Sequence, residues 1–401
     1  MDLTRREFIA ASSAVVASSS VSSLLPSGSS SLIVHEWGVA TIPYGTSHAN
    51  LRTAGAKSIG GVEQIPGLPE FVATWEATVK DAIEDWKNNP VPVSKPIVYF
   101  YSKEQTQVSL TVKIPTGRPS AWFPPADRYA PQPVYPNPMK GGDQTSPDPK
   151  TIVPKDGLLG WDALILDPAA KEFRDVKGWW KTARNVDAVP VRRDKEAEKF
   201  LFYDGFADYA PKAVVAWNKD GTVTVTNDSP EPFPAVIAIR VKKGECAFAT
   251  SKLAKGASAT LTLAKGAPDL AASLAGLYKK EADALVEIWT DEFFKTDGVR
   301  VLIVLAREAY DRLLPIEIKP APAELVRVLI AHLECLDDER IAKIHEWIGE
   351  LGAADLDVRD KASAKLKQLA PLAEPMIREA ADKATDADVK GRLLDLLPRK
   401  K

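Results

Sequence analysis

The sequence predicts a multidomain α+β fold, on three observations. A chain of 401 residues is too long for one ordinary core. Between residues 213 and 264, short apolar runs alternate with turn-forming clusters, which is the pattern of a small antiparallel β-sandwich. After Asp337, apolar residues recur only at helical spacing. The expected order is a mixed β-rich domain over 32–205, the sandwich over 213–264, an α/β segment over 268–334 packed on both, and a HEAT-like helical tail over 337–401.

The first 31 residues read as an export signal. Arg5 and Arg6 stand side by side, followed by Phe8, Ile9 and a soft run of Ala, Val and Ser to Leu25. Charge, then an apolar run, then small residues is the order of a secretory leader, and paired arginines suit the twin-arginine type, which carries finished folds. The competing reading is a disordered basic tail. No A-x-A site stands out, so cleavage is placed before Leu32. The run is too serine-rich for a permanent membrane span. The expected location is periplasmic or secreted, and the expected partner is the twin-arginine export machinery.

The elements follow in order. Residues 32–42 read as a strand carrying His35, Glu36 and Trp37. Phe71, Trp75, Val79, Ile83 and Trp86 recur at helical steps, so a helix is expected over 71–86. IVYFY (97–101) and the alternating QVSLTVKI (107–114) read as neighbouring strands. Residues 120–154 hold many of the 31 prolines, interleaved with Trp122, Phe123, Tyr129 and Tyr135. Proline denies the backbone a helix or a central strand, so a long loop is expected, either lining a groove or packed on its own rings.

LLGWDALIL (158–166) is another strand, and FLFY (200–203) a short apolar run. Five strands then alternate with turns through residue 264. Residues 268–294 are helical, with Tyr278, Ala282, Leu285, Trp289 and Phe293 on one stripe. VRVLIVL (299–305) is a buried strand. VRVLIAHL (326–333) fits strand or helix, and strand is favoured. In the tail, Asp355 opens one helix, Pro371 and Pro375 mark the start of the next, and a third runs over 386–397.

Five phrases recur together: VHEWGVAT (34–41), KPIVYFYS (95–102), EKFLFYDG (198–205), GLYKKEADALVEIW (276–289) and LLPIEIKPAP (313–322). With the Gly-Val-Arg strand, the set resembles a family of exported bacterial proteins that open with a His-Glu-Trp-Gly phrase. The resemblance covers roughly 33–333, with a helical tail of a kind often appended. It implies an envelope setting and transfers no catalytic residues.

Composition excludes several functions. A formal net charge of −2 argues against a nucleic-acid or anionic-membrane binder. Cys246 and Cys335 are too few for an ordinary iron–sulfur or all-cysteine zinc site, and whether they pair is left open. No dinucleotide, haem, P-loop or G-x-S-x-G motif occurs, so no cofactor is assigned.

Four groups carry possible chemistry. His35 and Glu36 are neighbours on a strand, so they face opposite ways and do not easily grip one metal. His48 and a distant carboxylate would have to complete such a site; otherwise His35 and Trp37 pack inward. A second His-Glu-Trp, at 345–347, lacks the spacing of a zinc helix and reads as packing. Asp283, Glu287 and Asp291 share a helix face, where a cation or solvent would relieve their repulsion. Glu281 and Arg300 are expected to meet as a buried ion pair, with an acid catalyst as the alternative.

The sequence therefore favours a non-catalytic binding or scaffolding role in the envelope. A hydrolase of envelope glycan or peptide, using carboxylate or metal-assisted chemistry, is the alternative.

Overall fold

The computed structural model describes residues 31–43, 68–74, 91–131, 156–207, 209 and 211–397. The leader with Arg5, Arg6 and Phe8, His48, most of the helix expected over 71–86, and residues 132–155 lie outside these ranges.

The first half is nearly all strand. It holds β1 (Ile33–Pro43), β2 (Ala73–Thr74), β3 (Val91–Tyr101), β4 (Thr106–Ile114) and β5 (Gly117–Phe123). Then come β6 (Arg128–Ala130), β7 (Gly157–Leu166), helix α1 (Trp179–Arg184), β8 (Val191–Arg193), β9 (Glu196–Glu198) and β10 (Leu201–Ala207). The second half continues with β11 (Ala213–Trp217), β12 (Val223–Asn227), β13 (Phe233–Lys242), β14 (Glu245–Leu253), β15 (Ser258–Leu261) and β16 (Ala264–Lys265). Helix α2 (Lys279–Thr290) runs into a π-helical turn (Asp291–Lys295). After it come β17 (Gly298–Val304), α3 (Arg307–Leu313), β18 (Ile316–Lys319) and β19 (Glu324–Cys335). The tail is α4 (Asp338–Glu350), α5 (Leu356–Lys383) and α6 (Ala387–Asp395).

A ten-stranded sheet in the order β16-β14-β13-β17-β19-β1-β3-β10-β5-β2 organises the molecule. Its centre is the parallel pair β1–β19, where Glu36 faces Arg327 and His35 faces Val326 in register. Strand β17 is buried at every position, as expected of a strand covered on both faces. One face of the sheet packs on two smaller sheets. These are β11-β12-β15, and β18-β4-β7-β8-β9 with β6 beside β7. Phe100, Trp161, Val225 and Leu333 share that core. The other face packs on α1 and α2 through Trp37, Tyr99, Trp180, Leu285 and Trp289. The result is three layers: small sheets, central sheet, helices. Each fully buried residue such as Phe100 or Leu302 contributes about 1.5–3 kcal/mol.

Proline shapes the centre. Pro96 lies in β3 opposite β1, and the ladder shifts register between Trp37 and Val39. Lacking an N–H, proline interrupts such a ladder. Gly38 accommodates the interruption, because a Cβ there would lie 3.3 Å from Pro96.

The structure is mixed α+β, rich in strands, with helices at its C-terminus. Several finer expectations are corrected. The five strands over 213–264 exist, but not as a separate sandwich: β13 and β14 belong to the ten-stranded sheet, and β11, β12 and β15 lie across from it. Residues 32–205, 213–264 and 268–334 share two continuous cores, because the central sheet draws strands from all three. Residues 120–123 and 128–130 are strands, not loop. Ala73–Thr74 is a strand paired with β5 where a helix was expected to begin. Pro371 and Pro375 lie inside α5 and do not start a new helix.

The tail has its own core, built from Ile344, Ala362, Leu366, Ile377 and Leu393. Asp337, Asp355 and Asp386 cap its three helices, each accepting from a first-turn backbone N–H. No described helix is long and apolar enough to cross a membrane.

Candidate functional site

Alternation along β1 sends His35 and Trp37 toward the helices and Glu36 toward the small sheets. The two residues thus enter separate polar nodes, one on each side of the central sheet.

On the helix side, His35 Nδ1 lies 2.7 Å from Glu281 Oε2, with the two side chains 1% and 0% exposed. Tyr101 donates its hydroxyl to Glu281 Oε1 at 2.8 Å. The backbone N–H of Tyr278 donates to Oε2 at 2.7 Å, so Glu281 also caps α2. The carboxylate only accepts, so the His35 Nδ1 carries a proton and donates it to Glu281. Nε2 is buried and has no hydrogen-bond partner among the described residues. The rings of His35, Tyr101 and Tyr278 touch, with centroids 4.5–5.3 Å apart. Burial and then the Glu281 charge push the Tyr101 hydroxyl far above its ordinary range, keeping it a donor.

On the other side, Glu36 accepts from the Tyr203 hydroxyl and from Arg327 Nε. Arg327 Nη1 donates to Asp311 Oδ1 at 2.6 Å, and its guanidinium lies 4.1 Å from the Tyr310 ring centre. Burial, the largest influence, would lower the Arg327 pKa, but the charge and hydrogen bond of Glu36 together with Tyr310 and Tyr203 outweigh it and hold the guanidinium charged. This network ties β1 and β19 to α3.

Glu281 and Arg300 do not meet. Arg300 is fully buried and pairs with Glu334 at 2.8 Å. Its other nitrogens donate to the carbonyls of Glu292, Phe293 and Thr296, which end the helix after α2. The expected ion pair is therefore replaced by two others, because helix and strand each find a closer partner. Glu334 also takes His332 at 3.0 Å and Arg340 at 3.4 Å. Burial would raise the Glu334 carboxyl, but the bond and charge of His332, with Arg300 and Arg340, hold it at about 2.

The acidic face of α2 is likewise dispersed. Asp283 pairs with Lys279, Asp291 with Lys295, and Glu287 accepts from Thr182. Among the described residues, no three His, Cys, Asp or Glu side chains converge as a metal site. His345 is exposed on α4, and Trp347 packs into the tail core. Cys246 and Cys335 are both free thiols. Two strands stand between theirs in the sheet, a separation of about 14 Å, too far for a disulfide.

Sequence reasoning missed Arg327, Glu334, Tyr101 and Tyr203. A signal existed for the first two: charges inside the apolar run of β19 must find partners when buried.

A cleft of about 330 Å³ opens where the three sheets and α3 meet. Pro115, Pro211, Pro230 and Pro232 form much of its wall, with Tyr209 and Leu313. Its charged lining residues are Lys212, Glu231 and Arg312, of which the last two pair at 2.7 Å. None of His35, Glu36, Trp37, Glu281 or Arg300 lines it.

Fold and site define a three-layer α+β protein with a proline-walled cleft and buried polar nodes. No family model matches the chain, and no curated protein matches it. Among solved structures, the chain is similar to the Fcho1 Mu homology domain of Danio rerio, determined with a bound Eps15 peptide. Identity is 8%, the match covers 77% of this chain and 98% of that one, and the TM-score is 0.27, which carries no argument about function.

Proposed function

We propose that this is an exported envelope protein, sent out by the twin-arginine route, that acts by binding or scaffolding. The reading includes kinship with the exported proteins that open on His-Glu-Trp-Gly, and a HEAT-like tail serving as a contact surface. The observation that carries it is how the polar side chains are used. His35, Glu36, Glu281 and Arg300 are each engaged in the interior, joining strands to helices. The cleft, by contrast, is mainly apolar and walled by prolines, which suits holding a ligand.

A hydrolase is the second reading. It is favoured by His35, whose Nε2 has no partner among the described residues while its Nδ1 is backed by a carboxylate, the arrangement a general base uses. The side chain's 1% exposure counts against it.

Two measurements test the proposal. A reporter fused to the leader is expected in the periplasm and is expected to stay inside once Arg5 and Arg6 are both changed to Lys. Purified protein is expected to sediment with an envelope fraction without releasing soluble glycan or peptide. Steady release that disappears in His35→Ala would establish the hydrolase instead.

A further inference from the structure

We infer that the proline-walled cleft binds a small amphiphilic anion: an apolar body carrying one carboxylate or sulfonate, recognised by Lys212. The inference deepens the binding reading above and rests on it.

Three features argue for this class. The volume, about 330 Å³, lies at the low end of small-molecule pockets, roughly 300–1,000 Å³. The walls bury apolar surface and offer few hydrogen bonds: prolines supply no N–H, and Leu305, Ala309 and Leu313 supply only carbon from their side chains. The charged lining residues are two cations and one carboxylate. Glu231 is committed to Arg312 at 2.7 Å, with the carboxylate 16% exposed. No described carboxylate pairs with Lys212, which is exposed beside the start of β11. Among the described lining residues, Lys212 is therefore a positive charge with no ion-pair partner, next to an apolar floor. A neutral ligand would leave that charge unmatched, and a cation would meet repulsion.

The walls are also set in place before any ligand arrives. Pro115 O accepts from the Asp156 N–H at 3.0 Å. Ser229 is fixed to Asn227 Oδ1 through both its N–H, at 2.9 Å, and its hydroxyl, at 2.7 Å. Little ordering cost remains for binding.

The test uses the full mature chain and two dyes sharing one skeleton: 1-anilinonaphthalene-8-sulfonate, and neutral N-phenyl-1-naphthylamine. The expected result is one equivalent of the sulfonate bound, more tightly than the neutral dye. Lys212→Gln, at an exposed site, is expected to weaken the sulfonate about three- to tenfold and leave the neutral dye unchanged. Ala309→Trp, which fills the cleft, is expected to abolish both, with unaltered thermal melting as the check on folding. Equal affinity for the two dyes, or an unchanged sulfonate in Lys212→Gln, overturns the inference. So does a failure of both dyes to bind; continued sedimentation with the envelope fraction would then show that the ligand class has failed and the binding reading has not.

Discussion

His35 and Glu281 stand 246 positions apart in sequence, yet His35 Nδ1 and Glu281 Oε2 lie 2.7 Å apart in the interior. The contact fastens the N-terminus of α2 to the middle of the central sheet. Glu281→Leu would strand three donors: the imidazole N–H, the Tyr101 hydroxyl and the Tyr278 backbone N–H. A loss of about 3–5 kcal/mol is expected, against about 1–2 kcal/mol for Glu281→Gln, which keeps an acceptor. Urea unfolding of both variants checks the difference.

Glu36 and Arg327 form the matching lock on the other face, both with fully buried side chains. Arg327→Met leaves a buried carboxylate and is expected to cost about 3–5 kcal/mol. Adding Glu36→Gln should recover part of that loss. A double-mutant cycle measures the coupling, and simple additivity of the two losses would show that the pair does not act as a unit.

Glu334 makes stability depend on acid. Its folded pKa, about 2, lies below the ordinary glutamate value of 4.5. Its contribution is therefore complete above pH 4.5 and is lost as pH falls toward 2. The depression is worth about 3 kcal/mol. Between pH 6 and pH 3, Glu334→Gln should lose less stability than the wild type, as read from denaturant midpoints.

Gly298 guards the junction with the tail. Its φ is +141°, and a Cβ would lie 2.3 Å from Arg340 Nη2. That guanidinium donates to the Asp297 carbonyl at 2.5 Å and so docks α4 on the sheet. Gly298→Ala is expected to cost about 1–3 kcal/mol, from backbone strain plus displacement of Arg340. Faster limited proteolysis between β19 and α4 would show the tail released.

Both cysteines are expected to titrate as thiols after denaturation without reductant. A result of none would require a disulfide that the strand order forbids.

Much of the fold was legible from short-range pattern. Strands β1, β4, β7 and β17, the stripe on α2 and the helix starts near Asp355 and Asp386 follow from periodicity. The separate sandwich was misread because short strands bounded by turns look the same in sequence whether the neighbour of β13 is β12 or β17. Pro371 and Pro375 misled because tertiary packing of α5 on the tail core overrides a helix-breaking preference. At the candidate site, the residues His35, Glu36, Glu281 and Arg300 were legible, but their partners were not. The pairing of Glu281 with Arg300 was inferred from burial alone, and burial says that a charge needs a partner without saying which one.

By itself the sequence determined several strands, among them β1, β4, β7 and β17, the apolar stripe of α2, and that opposite faces of β1 would receive His35 and Glu36. Those properties follow from residues within a few positions of one another. Only the tertiary structure decided that β1 lies parallel to β19, bringing Glu36 beside Arg327 from 291 positions away. It likewise decided that α2 covers the other face with Glu281 over His35. Strand order and layer packing are long-range choices, made by the summed burial of two extended faces, and no local pattern encodes them.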